Sequence, residues 1–303
     1  MYRFNRLLVA IDFTAKDHTL ISYSRQIAEL ADSSRIYFVH IAGNLEIPDE
    51  IRDKYPAVTE PLDEYAVKKM KTLAADIFDG RPKPELLFEV GEGETVSNLL
   101  RQIKIKDIDL VLVGKSGGHD ADTAVAEKLA RKAPCSVLII PEGAHPFYKK
   151  VVLATDFSNH SLDALDVTGA FTHSAGLDSF TCLHVYNVPT GYYKTGKSYE
   201  QFAGIMEKNA TDQFMAQMRL VDLKNVNPHL ELILDKYPEE KIISYVAEHH
   251  SDFLVMGTRG RAGGAGILLG SVTEQVIRKT TIPLLAVKKK GTGLDLLQAL
   301  LEN

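Results

Sequence analysis

Runs of apolar residues alternate with amphipathic stretches along the whole chain, and this pattern predicts alternating strands and helices. The first unit opens with a continuous apolar run at 7–12, typical of a strand buried on both faces. A stretch with helical spacing of apolar residues follows at 16–32, and a second apolar run at 35–41. This alternation predicts a parallel, doubly wound sheet with right-handed crossovers.

The same order of elements occurs twice. The apolar run that ends in Asp12 is nearly repeated by the run that ends in Asp156, 144 positions later. His40 and His184 lie near the ends of the next runs at the same offset. Two further matches follow in the same order, 109–114 with 252–257 and 127–132 with 274–279. Four matched anchors indicate the duplication of a whole domain, because the period is far too long for a solenoid repeat.

Each copy is predicted to contain five strands and four helices. The strands are expected at 7–12, 35–41, 84–90, 109–114 and 136–140, and again at 151–156, 179–186, 229–235, 252–257 and 283–288. The helices are expected at 16–32, 61–79, 94–106 and around 127–132, and again at 160–175, 198–221, 239–249 and 272–279. Thr14 and Ser158 are the predicted N-caps of the first helices. The third strand of each copy alternates in polarity and is expected near a sheet edge.

The fold class that follows is α/β, with two fused, five-stranded, Rossmann-like domains. The first domain is placed at 1–141 and the second at 148–290, with a short proline- and glycine-containing linker at 141–146. Residues 291–303 form a leucine-rich tail with a helical pattern. Such a short helix is marginal alone, so we expect it to dock on the body of the protein or on a partner.

Composition narrows the class of partner. The 303 residues are 45% hydrophobic and 25% charged, with a net charge of −5, which is typical of a globular protein and argues against nucleic-acid or anionic-membrane binding. Cys135 and Cys182 lie in apolar runs and are expected to be buried free thiols. With no secretory pattern at residues 1–13, the chain is predicted to be cytoplasmic.

Residues 253–273 contain the candidate ligand-binding motif. An apolar run at 253–256 leads into five glycines between 257 and 266, and Gly270-Ser271 then precedes a helical pattern. Glycines let backbone N–H groups approach an anion, and a helix N-terminus adds donors and partial positive charge. Arg259 and Arg261 add cations. The stretch predicts a phosphate site, and a plain mobile connection is the alternative.

The spacing Gly257-x2-Gly260-x9-Gly270-Ser271 resembles the nucleotide-binding signature of the ATP-binding universal stress proteins. This resemblance implies that ATP binds the second domain, with AMP or ADP as alternatives and a divalent ion such as Mg²⁺ held mainly by the phosphates. It also implies a set of binding residues. Those bordering the adenosine are Ala154, Thr155, Asp156 and Val185, and those on the signature are Met256, Gly257, Arg259, Gly260, Gly270, Ser271, Val272 and Thr273.

The first domain departs from this signature. It keeps Gly114 and Gly117, but Thr123-Ala124 stands where the final Gly-Ser would be. Asp120 and Asp122 lie where phosphates would sit, which is unfavourable without a metal. The first domain is therefore predicted to be a degenerate nucleotide site. A different ligand, or a phosphate bridged by a cation, is the alternative.

The function predicted from this resemblance is that of a nucleotide-responsive regulator of the stress response. The loop offers donors and arginines but no evident general base, so slow ATP hydrolysis is the most that is expected, and no catalytic residue is assigned. A nucleotide-transforming enzyme using Asp156 or Ser271 is one alternative, and a nucleotide-independent interaction scaffold is another. His249-His250 has no third ligand at a suitable spacing, so no metal site is assigned.

The two domains are expected to pack on each other as a pseudo-twofold pair. In single-domain members of the family that the signature resembles, such pairing makes the homodimer, commonly through the last strands. The resemblance therefore implies that the strands at 137–140 and 284–287 meet as neighbouring edges and protect each other from aggregation. A homodimer of the whole chain and further protein partners are left open. Neither a membrane nor a nucleic acid is expected as a partner.

Overall fold

A computed structural model of the chain describes residues 4–43, 54, 62–79, 84–116, 121–260 and 269–290. Several sequence predictions fall outside these described residues. They concern Gly117, Asp120, Arg261 and the tail at 291–303.

Among its described residues, the first repeat contains five strands and four α-helices. Its strands are β1 (Arg6–Ile11), β2 (Arg35–Ala42), β3 (Glu85–Glu92), β4 (Leu110–Lys115) and β5 (Ser136–Pro141). Its helices are α1 (Lys16–Ala31), α2 (Leu62–Phe78), α3 (Thr95–Ile105) and α4 (Ala121–Lys132).

The second repeat has the same order of elements. Its strands are β6 (Val151–Ala154), β7 (Ser179–Tyr186), β8 (Asn227–Leu234), β9 (Phe253–Gly257) and β10 (Leu284–Val287). Its helices are α5 (Asn159–Ser174), α6 (Tyr199–Met218), α7 (Pro238–Glu248) and α8 (Ser271–Lys279), with a 3₁₀ turn at Tyr192–Thr195. No helix in the described part of the chain is both long enough and apolar enough to cross a bilayer.

The ten described strands form one sheet in the order β3-β2-β1-β4-β5-β10-β9-β6-β7-β8. Pairing is parallel within each repeat. The α/β, doubly wound fold predicted from the sequence is therefore confirmed. The alternating strands β3 and β8 lie at the two outer edges, as predicted.

The repeats join through their last strands. β5 and β10 lie side by side, as expected of the last strands, and they pair antiparallel, with Leu284 opposite Ile139 and Ala286 opposite Val137. Above this pair α4 contacts α8, and on the other face α1 contacts α5. We call β5, β10, α4 and α8 the seam. Because its strands are antiparallel, the carboxyl-end edge of one repeat lies at the amino-end edge of the other.

The core covers both faces of the sheet, because neighbouring residues of each parallel strand point to opposite sides. Leu7 and Leu153 belong to one buried cluster, and Leu8 and Val152 to the other. Each cluster includes residues of both repeats, so the hydrophobic core continues across the seam. Cys135 and Cys182 are free and buried, as predicted.

The two predicted N-caps have different outcomes. Ser158 caps α5, since its side chain accepts a hydrogen bond from Ser161 N. The prediction for Thr14 is wrong. Helix α1 has Ala15 at its N-cap with no side-chain cap, because the Thr14 hydroxyl instead donates to Asp12 Oδ1 at 2.5 Å. The Thr14 hydroxyl is bound to the nearby Asp12 carboxylate and does not cap the helix.

Candidate functional site

In an open parallel sheet, ligands bind beyond the carboxyl ends of the strands where the strand order reverses. In the second repeat this point lies between β6 and β9, and a cavity of about 620 Å³ opens there. All twelve residues named from the sequence line it. They are Ala154, Thr155, Asp156, Val185, Met256, Gly257, Arg259, Gly260, Gly270, Ser271, Val272 and Thr273. We call this space the strand-end cavity.

Sequence reasoning missed ten other lining residues: Ser161, Leu183, His184, Tyr186, Asn187, Met206, Pro238, Ile242, Leu269 and Glu274. For several of them the sequence contained a feature that could have predicted a place at the cavity. His184, Tyr186 and Asn187 flank Val185 at the end of β7, and the one-turn spacing of Pro238 and Ile242 places both on one face of α7. Met206 had none, because its place depends on how α6 lies across the sheet.

The end of β6 is fixed by three hydrogen bonds to Thr155. Thr155 N donates to Leu183 O at 2.9 Å, which ties the strand end to β7. Thr155 Oγ1 accepts from Phe157 N at 3.1 Å. His184 Nδ1 lies 2.8 Å from Thr155 O and must be its donor, because a carbonyl oxygen can only accept. The cavity wall at residues 154–156 is thus held in one conformation.

The turn after β6 has a backbone conformation unusual for its residue type. Phe157 has φ 57°, in the left-handed region, and its ring lies 4.6 Å from the His184 ring. The first repeat shows the same arrangement, with Phe13 at φ 62° and 4.3 Å from the His40 ring. This turn ends β6 at Ala154, two residues before the predicted end. A left-handed backbone conformation costs free energy for a bulky residue such as Phe157, and packing of its ring against His184 offsets that cost.

Asp156 lies under the glycine turn. Its Oδ1 accepts from Ser158 N at 3.0 Å, which fixes the carboxylate in an Asx turn. A Cβ placed at residue 260 would lie 2.7 Å from Asp156 Oδ2, closer than any real Cβ contact. A side chain at residue 260 would therefore displace either the backbone of this turn or the Asp156 carboxylate.

Helix α8 begins at the cavity with a glycine cap. Gly270 provides no side-chain cap, and its N–H donates to Thr258 O at 2.8 Å. Thr273 Oγ1 donates to Gly257 O at 2.9 Å and ties the first turn to the end of β9. The first-turn N–H groups of an α-helix have no intrahelical acceptor. At Ser271, Val272 and Thr273 they belong to residues that line the cavity, which suits an anion.

Two charged residues of the cavity, Arg259 and Glu274, differ in whether their side chains have partners. Among the residues that the structure describes, the buried Nε of Arg259 has no hydrogen-bond partner. The Glu274 carboxylate is paired with Arg131 at 2.7 Å and with Arg278 at 2.9 Å. An unmet buried donor next to a glycine-capped helix is what an incoming phosphate would satisfy.

The corresponding place in the first repeat is filled by a side chain. Lys16 is only 7% exposed, and its Nζ donates to Ser116 Oγ at 3.0 Å and to Asp122 Oδ2, and lies 3.3 Å from Asp12 Oδ2. A Cβ placed at Gly114 would lie 3.4 Å from Lys16 Cδ, so this side chain covers the first glycine of the repeat. We call these four polar residues, Lys16, Asp12, Ser116 and Asp122, the Lys16 cluster.

The equivalent position in the second repeat is different. Residue 160, which is 144 positions after Lys16, is an exposed histidine. It leaves the space above Gly257 bordered by backbone, with His160 O 3.2 Å from a Cβ placed there. At the start of α5 the short side chain of Ser161 lines the strand-end cavity, and a histidine stands where Lys16 stands in the first repeat.

Electrostatics hold the Lys16 cluster together. Burial alone would lower the pKa of Lys16, but the carboxylates of Asp122 and Asp12 outweigh it and raise that pKa above its ordinary value. Burial would raise the pKa of Asp12, but hydrogen bonds from Thr14 and the charge of Lys16 bring that pKa below its ordinary value. Lys16 therefore stays an ammonium and Asp12 a carboxylate at neutral pH.

The geometry can be compared with known proteins. The Universal stress protein family matches the chain twice, at residues 3–141 and 147–288. The chain belongs to the universal stress protein family. Among curated members, it is 30% identical over 159 residues to a universal stress protein of Methanocaldococcus jannaschii, covering 48% of this chain and 98% of that protein. A second one from the same organism is 29% identical over 142 residues, covering 47% of this chain and 83% of that protein.

Solved structures show the same tandem fold. A universal stress protein from Archaeoglobus fulgidus DSM 4304 matches with a TM-score of 0.59 and 17% identity, over 95% of this chain and 99% of that chain. A functionally unknown protein from Pseudomonas aeruginosa PAO1 matches with a TM-score of 0.63 and 16% identity, over 99% of this chain and 96% of that chain. At these identities the likeness concerns the fold alone.

Proposed function

We propose that the chain binds an adenine nucleotide, ATP, in the strand-end cavity of the second repeat and acts as a nucleotide-responsive regulator of the stress response. AMP and ADP are the alternative ligands. The adenosine would lie against the ends of β6 and β7, and the phosphates against the glycine turn and the start of α8. A divalent ion such as Mg²⁺ would be held mainly by the phosphates, since the described residues contain no cluster of three metal-ligating side chains.

The observation that carries this proposal is the unmet polar end of the cavity. The glycine-capped start of α8 and the Nε of Arg259, which has no hydrogen-bond partner among the described residues, belong to residues that line the same space. Both features favour anions, whereas the rest of the lining includes apolar side chains such as Val185, Met256 and Ile242. A ligand with an apolar ring system and an anionic tail matches both ends.

We further propose that the first repeat, residues 1–141, has no nucleotide site, so that one chain binds one nucleotide in the domain at 148–290. The Lys16 ammonium already occupies the space over Gly114 and neutralises Asp12 and Asp122. It does so without a metal, which removes the sequence-based reason for expecting a bridging cation there.

The antiparallel β5–β10 pair supports the proposal that the two domains form an internal pseudo-dimer. In such an arrangement β3 and β8 are the two outer edges of the sheet, which offer a second chain places for strand pairing. We place the protein in the cytoplasm, where two buried free thiols would remain reduced.

Binding is favoured over rapid catalysis because the nearby carboxylates have other partners. Asp156 Oδ1 accepts from Ser158 N, and Glu274 is ion-paired with two arginines. Neither is placed as a free general base, so turnover would be slow at most.

The test is calorimetric titration of the purified protein with ATP, ADP, AMP and adenosine, together with mass spectrometry of any ligand released on denaturation. We expect one ATP per chain and a rise in melting temperature of the size mass action gives. Arg259→Ala should weaken ATP binding about tenfold and adenosine binding little, while Arg219→Ala, at an exposed position after α6, should change neither.

Three results would contradict the proposal in different ways. No binding or thermal shift with millimolar ATP would favour the scaffold alternative. Two ATP per chain would show that the first repeat also binds. Multiple turnovers per second that are lost in Asp156→Ala or Ser271→Ala would make the protein an enzyme.

A further inference from the structure

Helix α8 begins at the strand-end cavity and ends beside the first repeat. Its first residue, Ser271, lines the cavity, and Arg278 in its last turn pairs with Glu127 of the first repeat. At that far end the ammonium of Lys115, from the end of β4, donates to Ile277 O at 2.7 Å, to Arg278 O at 2.6 Å and to Thr280 O at 3.0 Å. A residue of the first repeat thus caps the helix that opens the site in the second.

This cap is buried and rigidly mounted. Lys115 is 2% exposed, so its charge has exchanged water for the three carbonyl oxygens. Its backbone is fixed as well, because Lys115 is in register with Pro141 of β5 and Lys115 O accepts from Glu142 N at 2.9 Å. The carbonyls at a helix C-terminus carry partial negative charge and lack intrahelical donors, so the ammonium satisfies them directly.

Because α8 is short, a displacement of its C-terminal end is expected to displace its N-terminal end as well. The helix has nine residues and is about 14 Å long, short enough to move as a rod. Among the described residues, two hydrogen bonds tie the start of α8 to the end of β9 and the residue after it: Thr273 Oγ1 donates to Gly257 O, and Gly270 N donates to Thr258 O. A shift at the Lys115 end would therefore move the N–H groups of the first turn relative to the glycine turn.

We propose that Lys115 is a positioning residue for the nucleotide site of the second repeat, and that the first repeat serves that site as a built-in structural partner. This inference rests on the proposed function, because it concerns the phosphate end of the same site. Lys115 touches no ligand. It holds α8 at the depth where the first-turn N–H groups meet the phosphates, and it adds a positive charge at the negative end of the helix.

A reciprocal contact shows that the seam is built around such caps. Lys288, which follows β10, donates to Ala130 O at 3.0 Å, Arg131 O at 3.2 Å and Ala133 O at 2.8 Å at the end of α4. Helix α4 carries Asp122 of the Lys16 cluster in its first turn. Each repeat thus holds a helix that starts at the other repeat's strand end, and of these two helices α8 is the one that starts at the open cavity.

The experiment compares Lys115→Met with Lys290→Met. Lys290 also crosses the seam, but its Nζ pairs with Asp107 at 2.9 Å and Asp109 at 2.7 Å, away from α8. Both variants remove one positive charge. Binding of ATP and of adenosine is measured by calorimetry for each variant and the wild-type chain, and stability by urea unfolding.

We expect Lys115→Met to raise the Kd for ATP about 3- to 10-fold and the Kd for adenosine less than about twofold, because only ATP uses the helix terminus. Lys290→Met should leave both within about twofold. An unchanged Kd for ATP in Lys115→Met would overturn the inference. So would an equal weakening of ATP and adenosine, which would mark a general structural role, or an equal effect of Lys290→Met.

Lys115→Gln keeps two hydrogen-bond donors without the charge. If Lys115→Met does not fold, the Kd values for ATP and adenosine are compared in Lys115→Gln instead. Its Kd for ATP should rise selectively over that for adenosine, and a parallel rise of both would again overturn the inference. A wild-type chain that binds no ATP would instead refute the proposed function and this inference with it.

Discussion

The backbone at Gly260 passes so close to Asp156 that a Cβ at residue 260 would lie 2.7 Å from Asp156 Oδ2. Gly260→Ala must therefore displace either the glycine turn or the carboxylate, and both border the strand-end cavity. We expect this substitution to raise the Kd for ATP about tenfold, as measured by calorimetry. Gly43→Ala is the matched control, because a Cβ at residue 43 meets nothing within 4 Å. Equal affinities of the two variants would contradict the geometry described for Asp156.

Ser158 and Thr14 occupy equivalent positions in the two repeats but should differ in their effect on stability. Ser158→Ala removes the side-chain cap of α5 and should lower the free energy of unfolding by about 1 kcal/mol. Thr14→Ala removes no cap, since the Thr14 hydroxyl bonds to Asp12, and should cost less than about 0.5 kcal/mol. Urea unfolding of both variants measures this difference, and equal losses would show that Thr14 also stabilises its helix.

Lys16→Met should destabilise the chain because it leaves Asp12 and Asp122 without their shared cation. The carboxylates are 42% and 34% exposed, so we expect a loss of ~1–2 kcal/mol in the free energy of unfolding, less than for a fully buried broken pair. The loss should shrink as salt concentration rises, because salt screens the repulsion between the carboxylates. His160→Met, at the exposed equivalent position, is the control and should cost less than about 0.5 kcal/mol. A salt-independent loss would point to packing of the lysine stem instead.

The seam should gain stability at alkaline pH through Lys288. Burial lowers the pKa of Lys288 to about 8 in the folded protein. Between that value and the ordinary lysine pKa of about 10.4, the unfolded chain binds more protons at this group than the folded chain, so raising the pH stabilises the folded state. We expect the stability of the wild-type chain relative to Lys288→Met to rise by ~2–3 kcal/mol from pH 8 to pH 10.

This pH dependence is measured by urea unfolding of both proteins at a series of pH values. Lys290→Met provides the comparison. The carboxylates of Asp109 and Asp107 outweigh the effect of burial and raise the pKa of Lys290, so its difference from wild type should stay flat over the same range. A flat difference for Lys288→Met as well would show that its ammonium is not destabilised by burial.

Much of the fold was predictable because the determining signals are local or repeated. Buried apolar runs such as the one that ends in Asp12 indicate parallel strands, and their recurrence near Asp156 indicates two domains. The carboxyl ends of parallel strands share one edge of the sheet, so residues as distant as Thr155 and Ser271 could be expected at one cavity. Thr14 failed as an N-cap because a side chain two residues away competes for its hydroxyl.

The sequence by itself determined the repeat and the order of strands and helices. The family resemblance that it carries added the meeting of the last strands and twelve of the residues that line the strand-end cavity. Only the tertiary structure decided that Lys16 fills the strand-end space of the first repeat and pairs with Asp122, and that Lys115 of one repeat caps α8 of the other. These contacts join residues 106 and 162 positions apart. Charged side chains of this kind look like solvated surface residues in a sequence. Their partners are fixed only when packing of the whole sheet brings them out of water, where an unpaired charge would be too costly.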